Sequence, residues 1–223
     1  RIPYEKQKLD DNMKIVPEDY YKENGGVIFP NPNAPTGLLM DLDSVRDIIE
    51  HNKDVVVIVD EAYIDFGGVS AKDLVNEYDN VLVVQTFSKS RSMAGMRIGY
   101  AFGSKELIKA LNDVKFSFNS YTMNMTSIDM GVASINDKKY FEECVERITA
   151  TRERTKEELT KLGFTFPDSK ANFIFATHKS VPAKEIFEKL KEKNIFVRYF
   201  SQPLIDNYLR ITIGTDEQME KLY

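Results

Sequence analysis

The sequence predicts an α/β protein, with a mostly parallel sheet flanked by helices followed by a small α+β unit. Three observations carry that prediction. Short β-branched runs recur between residues 27 and 102, separated by helical or turn-forming stretches, which is the rhythm of strands joined by crossovers. The runs are apolar throughout rather than alternating, as expected of strands covered on both faces. A long charged helical pattern over residues 137–162 then separates this region from a second group of strands.

The first 26 residues hold no clear strand-turn-helix unit and the chain opens without methionine, so an interior segment of a longer protein is expected. Val27-Ile28-Phe29 is the first strand run, and NPNAPTG at 31–37 follows as a turn stiffened by two prolines. Asp41 to His51 places Leu42, Val45, Ile48 and Ile49 on one stripe, which suits a crossover helix. The second strand, Val55 to Val59, runs into Asp60 and Glu61, and the third is Val81 to Val84. Arg97 to Phe102 forms a fourth strand, and Ser104 caps a helix with Leu107, Ile108 and Leu111 turned inward. The helix of 137–162 stops at Gly163. Strands at 172–175, 196–198 and 208–213 and a helix at 182–193 complete the chain, giving a partial large domain at 1–136 and a small domain at 137–223.

Composition narrows the partners. In 223 residues, 42% hydrophobic content fills a real core, and a net charge of -5 without a basic run points away from nucleic acid and anionic membranes. Small molecules are the expected partners. The single cysteine, Cys144, has no internal disulfide partner. With neither a signal peptide nor an apolar stretch of membrane-spanning length, the cytoplasm is the expected location, and no metal ligand set is assigned.

Four places combine strand ends with polar groups, where open α/β sheets build their sites. NPNAPTG aims the amides of Asn31 and Asn33. Asp60 and Glu61 end an apolar strand; a carboxylate there needs a cationic partner nearby, the lesser alternative being a structural salt bridge for Asp60 and a solvent-facing Glu61. In QTFSKSRSMAGMRIGYAFG at 85–103, Thr86 and Ser88 share a face if the strand continues, Arg97 offers a forked cation for phosphate, and Lys89 supplies an amine that can bond a carbonyl as a Schiff base. Arg198 and Arg210 lie in strands of the second unit, where an arginine is costly unless it meets an anion. Together these groups meet the needs of pyridoxal 5′-phosphate (PLP), which requires an amine, an acid for its ring nitrogen, donors for its phenolic oxygen and an anion site.

The order NPNAPTG, DEAY, TFSK, MRIGY and YLRITIGT resembles the fold-type I PLP-dependent aminotransferases, the histidinol-phosphate group most closely. The resemblance runs from about Lys22 to the C-terminus and implies the C-terminal part of a PLP-dependent transferase large domain followed by its small domain. It implies that Lys89 carries the cofactor and moves the substrate proton, that Asp60 pairs with the ring nitrogen and that Tyr63 donates to the phenolic oxygen. Thr86, Ser88 and Arg97 match the phosphate cup, Arg210 the substrate-carboxylate clamp and Arg198 a second substrate arginine. The family's usual asparagine is replaced by Ala34, which leaves Asn33 as the candidate donor. The implied reaction exchanges an amino group between histidinol phosphate and 2-oxoglutarate in histidine biosynthesis, in a homodimer when the protein is full length. Without its N-terminal part, the chain is expected to bind PLP poorly. Aromatic amino-acid transamination, threonine-phosphate decarboxylation and a PLP-binding sensor domain of a transcription regulator are the alternatives.

Overall fold

The computed structural model describes residues 2–223. Four strands, β1 (Val27–Pro30), β2 (Val57–Asp60), β3 (Val81–Thr86) and β4 (Gly99–Gly103), build the first sheet in that spatial order. The first three are parallel and β4 is antiparallel to β3, so the sheet is mostly parallel as the sequence predicts. Parallel neighbours need a crossover, and α1 (Leu42–Glu50) supplies it between β1 and β2. Asp41 starts this helix by accepting the Ser44 N–H at 2.8 Å. Val45, Ile48 and Ile49 then fall on one face and pack with Val27, Phe29, Val57, Val59, Val81 and Val83. Each such burial contributes about 1.5–3 kcal/mol.

One face of this sheet is fully covered among the described residues and the other only in part, since Leu82, between Val81 and Val83, is buried there. Val27 and Phe29 are buried while Ile28 between them is 67% exposed. The expectation of strands covered on both faces therefore holds at β3 and is corrected at β1: an apolar run is compatible with two covered faces but does not itself supply the second layer. The helix expected after Ser104 forms as α2 (Lys105–Phe118), with the Ser104 hydroxyl accepting the Leu107 N–H. Leu107 and Ile108 are half-buried, but Leu111, expected inward, is exposed. Strand boundaries shift by about two residues, because the ends of a ladder follow pairing and not apolarity.

After α3 (Met125–Asn136), Asp137 caps the long helix α4 (Lys138–Lys161), which stops at Leu162 and Gly163 with Gly163 at φ +89°. The second sheet contains β5 (Phe164–Thr165), β6 (Phe173–His178), β7 (Arg198–Tyr199) and β8 (Leu209–Thr212) in the order β5-β6-β8-β7, all antiparallel. α5 (Ala183–Glu192) and α6 (Asp216–Glu220) complete an α+β unit. Its core joins Leu159 of α4 to Ile174, Ala176, Ala183, Leu209, Ile211 and Met219. No helix among the described residues is long and apolar enough to cross a membrane.

Candidate active site

The parallel strands end together. The Asn31 N–H donates to the Asp60 carbonyl and the Glu61 N–H to the Val84 carbonyl, both at 2.8 Å, so the loops that follow share one edge of the sheet. NPNAPTG is the first of these loops. The Asn31 side chain is fully engaged with the Met40 backbone, donating at 3.0 Å and accepting at 2.8 Å. Asn33 differs: its Oδ1 accepts the Thr36 hydroxyl at 2.9 Å, and its Nδ2 donates to no group among the described residues. A side chain at Gly37 (φ +78°) would collide with Ser169, and the Gly37 carbonyl accepts the Lys170 N–H at 2.8 Å. The turn is thus docked onto the segment that enters β6.

The two carboxylates after β2 have opposite surroundings. Glu61 is 1% exposed and accepts from the Ser70 hydroxyl at 2.5 Å, the Ala71 N–H at 2.6 Å and Gln85 Nε2 at 2.7 Å. Burial pushes its carboxyl above the usual range, against the pull of those three donors. The solvent-facing alternative for Glu61 is corrected; its partners are remote in sequence. Asp60 is half-buried, and its Oδ1 accepts the Ala62 N–H at 3.0 Å. The cationic partner expected for it is absent among the described residues.

Lys89 lies in the turn after β3. Its amine is 5.3 Å from the centroid of the Tyr63 ring and makes no hydrogen bond or ion pair among the described residues. Thr86 and Ser88 do not share a strand face as the sequence suggested, because β3 ends at Thr86. The Thr86 hydroxyl instead accepts the Ser88 N–H at 3.0 Å and donates to the Ile98 carbonyl at 3.1 Å, which draws the two arms of the turn together. Arg97, next to Ile98, is exposed in a left-handed conformation, with one guanidinium nitrogen on the Ala94 carbonyl at 2.9 Å.

On the second sheet Arg198 and Arg210 are directly opposite each other across β7 and β8, so both side chains leave the same face. Like charges in that relation are unfavourable. Neither arginine forms an ion pair among the described residues. Arg210 Nε is a buried donor with no acceptor, while the guanidinium carbon lies 5.1 Å from the Phe173 ring. Phe173 in turn meets the Tyr63 ring edge-on at 5.1 Å. A contiguous path therefore runs from Lys89 through Tyr63 and Phe173 to Arg210, bringing residues from both sheets to one place.

Arg152 was not among the candidates from sequence. It is 4% exposed in α4, and its Nη1 donates to the Phe66 carbonyl at 2.8 Å and the Ala171 carbonyl at 3.0 Å. It ties the loop carrying Tyr63 to the strand carrying Phe173. In a helix full of charges it looks like one more solvated arginine. The available signal was its place among Thr151, Thr155 and Leu159, the buried stripe of α4.

Comparisons with known proteins agree with this architecture. The family model for aminotransferase class I and II matches residues 2–223. A histidinol-phosphate aminotransferase from Clostridium beijerinckii is 54% identical over 221 residues, which are 99% of this chain and 62% of that relative, so the chain spans less than two thirds of its length. The crystal structure of the histidinol-phosphate aminotransferase from Clostridium acetobutylicum superposes with a TM-score of 0.87 at 26% identity, covering 96% of this chain and 67% of that one. One from Sinorhizobium meliloti, solved in complex with pyridoxal-5′-phosphate, shares the fold with a TM-score of 0.80 at 23% identity, over 89% of this chain and 55% of that one. With a family model that spans every described residue and a fold that repeats in these structures, the chain belongs to the class I and II aminotransferases.

Proposed function

We propose that the intact protein transfers an amino group between histidinol phosphate and 2-oxoglutarate, using PLP, and that this chain supplies one wall of the cofactor site and the substrate arginines. The observation that carries the reading is the complementary set of unpartnered groups. A carboxylate without a cation, Asp60, and an amine without an acid, Lys89, lie at the end of one sheet; two arginines without an anion lie on the other.

The donor set fits PLP. Asp60 suits the protonated ring nitrogen, Tyr63 and the free Nδ2 of Asn33 suit the phenolic oxygen, and Ser88 and Arg97 suit the phosphate, which Thr86 would join by turning its hydroxyl from the Ile98 carbonyl. When bound, PLP withdraws electrons from the substrate α-carbon so that its proton becomes labile. Lys89 would hold the cofactor through its amine and, once displaced by substrate, take and return that proton. Asp60 would keep the ring nitrogen charged, a charge-assisted bond of about 1.5–3 kcal/mol. Arg210, with a guanidinium fork suited to a carboxylate, would grip glutamate. Histidinol phosphate has no carboxylate, so its dianionic phosphate must use the same face, and the paired Arg198 and Arg210 suit that double charge. The identity to histidinol-phosphate aminotransferases supports this substrate choice.

We further propose a homodimer for the intact protein. The apolar residues exposed on α2 and α3, including Val114, Phe118, Met125 and Ile128, support a surface that is covered in the complete assembly.

Half-reactions test the substrate. The PLP-loaded intact protein is mixed separately with histidinol phosphate, phenylalanine and threonine phosphate, and its absorbance is followed. Rapid conversion by histidinol phosphate is expected; conversion by one of the other two alone would replace this assignment.

A further inference from the structure

The amine of Lys89 has no anchor of its own, so its position depends on what holds its turn. Within the turn, the Ser92 N–H donates to the Lys89 carbonyl at 3.1 Å and the Met93 N–H to the Phe87 carbonyl at 3.0 Å, with Ser92 in a left-handed conformation. Two side chains fasten the turn to the rest of the molecule. The Ser90 hydroxyl donates to Asp65 in the loop after β2. Arg91 reaches the other way: its guanidinium lies 4.1 Å from the Phe141 ring centroid and 5.2 Å from that of Phe87, and its Nη1 donates to the Ser134 carbonyl at 2.7 Å.

The sites of those contacts give Arg91 its importance. Ser134 is in the last turn of α3 and Phe141 in the first turn of α4, so one guanidinium fastens the Lys89 turn to the junction of the two helices. No carboxylate pairs with it among the described residues, so the contact depends on the planar shape of the group. A guanidinium can stack on aromatic faces and still donate in its own plane; an ammonium is a point charge that cannot do both in this geometry.

We propose that Arg91 is a positioning residue for Lys89, holding the turn at the register from which the amine faces Tyr63. The proposal rests on the reading of Lys89 as the cofactor lysine. Arg91 touches neither Arg210 nor Arg198, so its loss is expected to slow steps that use Lys89 and leave substrate affinity alone.

The test uses the intact protein as wild type, Arg91→Lys and Phe141→Leu, the last removing the ring beneath the guanidinium. Amide hydrogen exchange without cofactor is followed for the peptide covering 87–93. The rate at which borohydride traps pyridoxal phosphate on Lys89 is measured in parallel, with KM for the amino donor. Arg91→Lys is expected to speed exchange of that peptide and slow trapping by about tenfold, since small misplacements of a reacting group cost this much or more. Phe141→Leu should do the same to a smaller extent, and KM should stay unchanged in both. Wild-type exchange and trapping in both variants would overturn the proposal, and if Arg91→Lys does not fold, Phe141→Leu decides alone. A wild-type protein labelled at another lysine would instead remove the reading of Lys89, and this proposal with it.

Discussion

The loop after β2 and the strand pair β7–β8 both carry charged side chains, but they treat the charge differently. Around Glu61 the charge is closed off: the hydroxyl of Ser70, the amide of Ala71 and the side chain of Gln85 all point at one carboxylate. Across β7 and β8 it is left open, with Arg198 facing Arg210 and a buried Nε donor unmatched. Asp60, one residue from Glu61, belongs with the arginines in this respect. On the proposed function, the difference separates scaffold from site. A buried polar group with all its partners stabilises the fold, whereas one kept without partners costs stability and is explained by a ligand that completes it.

That distinction is sharpest at Lys89. Lys89→Arg keeps the charge but removes the primary amine, and should lower the half-reaction rate by about 10²–10⁴-fold, the range for a lost acid–base group; stopped-flow absorbance measures it. Melting temperature should barely move, because the amine has no hydrogen bond or ion pair to lose and arginine keeps a cation beside the Tyr63 ring.

Arg152→Met tests the opposite class. Its two carbonyl acceptors, Phe66 and Ala171, would each be left unpaired at a cost of about 1–3 kcal/mol, so urea unfolding should show a large loss of stability. Little loss would mean that the tie between the sheets lies elsewhere. Asp60→Asn should behave like Lys89→Arg, with stability kept and turnover reduced by the loss of a bond of about 1.5–3 kcal/mol, roughly 10- to 150-fold. A smaller effect with opposite sign is expected for Arg198→Gln. Removing one of two facing cations should raise stability by about 0.2–1 kcal/mol while weakening phosphate-bearing substrates.

The smallest effect is a pH dependence on the scaffold side. Hydrogen bonding from Lys156 holds the Asp168 carboxyl below its ordinary value of 3.8, with Lys170 adding to the effect. A depressed folded-state value means the contribution is present above 3.8 and is lost as pH falls through the folded value. The melting temperatures of wild type and Asp168→Asn should therefore converge on acidification below that point.

Much of the fold was legible because the relevant signals are local. Val45, Ile48 and Ile49 announce α1, Asp41 and Ser104 announce helix starts, and Gly163 ends α4. The residue types of the candidate site were legible for the same reason, since Asp60, Lys89 and Arg210 are costly where they stand. What escaped depends on long-range pairing. The register that sets Arg198 against Arg210 is decided by β8, twelve residues away, and the partners of Glu61 come from Ser70 and Gln85. Arg152 resembled its charged neighbours on α4, and its role appears only when Phe66 and Ala171 are brought beside it. The exposure of Ile28 was hidden because an apolar strand reads the same whether one face is covered or two.

On the proposed function, the amine of Lys89 is where this protein holds its cofactor. The direct measurement is to load the intact protein with PLP, reduce it with borohydride, digest it and locate the pyridoxyl group by mass spectrometry. A single label on Lys89, within the peptide that spans Thr86 to Arg91, is expected. A label on any other lysine, or none after reduction, would contradict it.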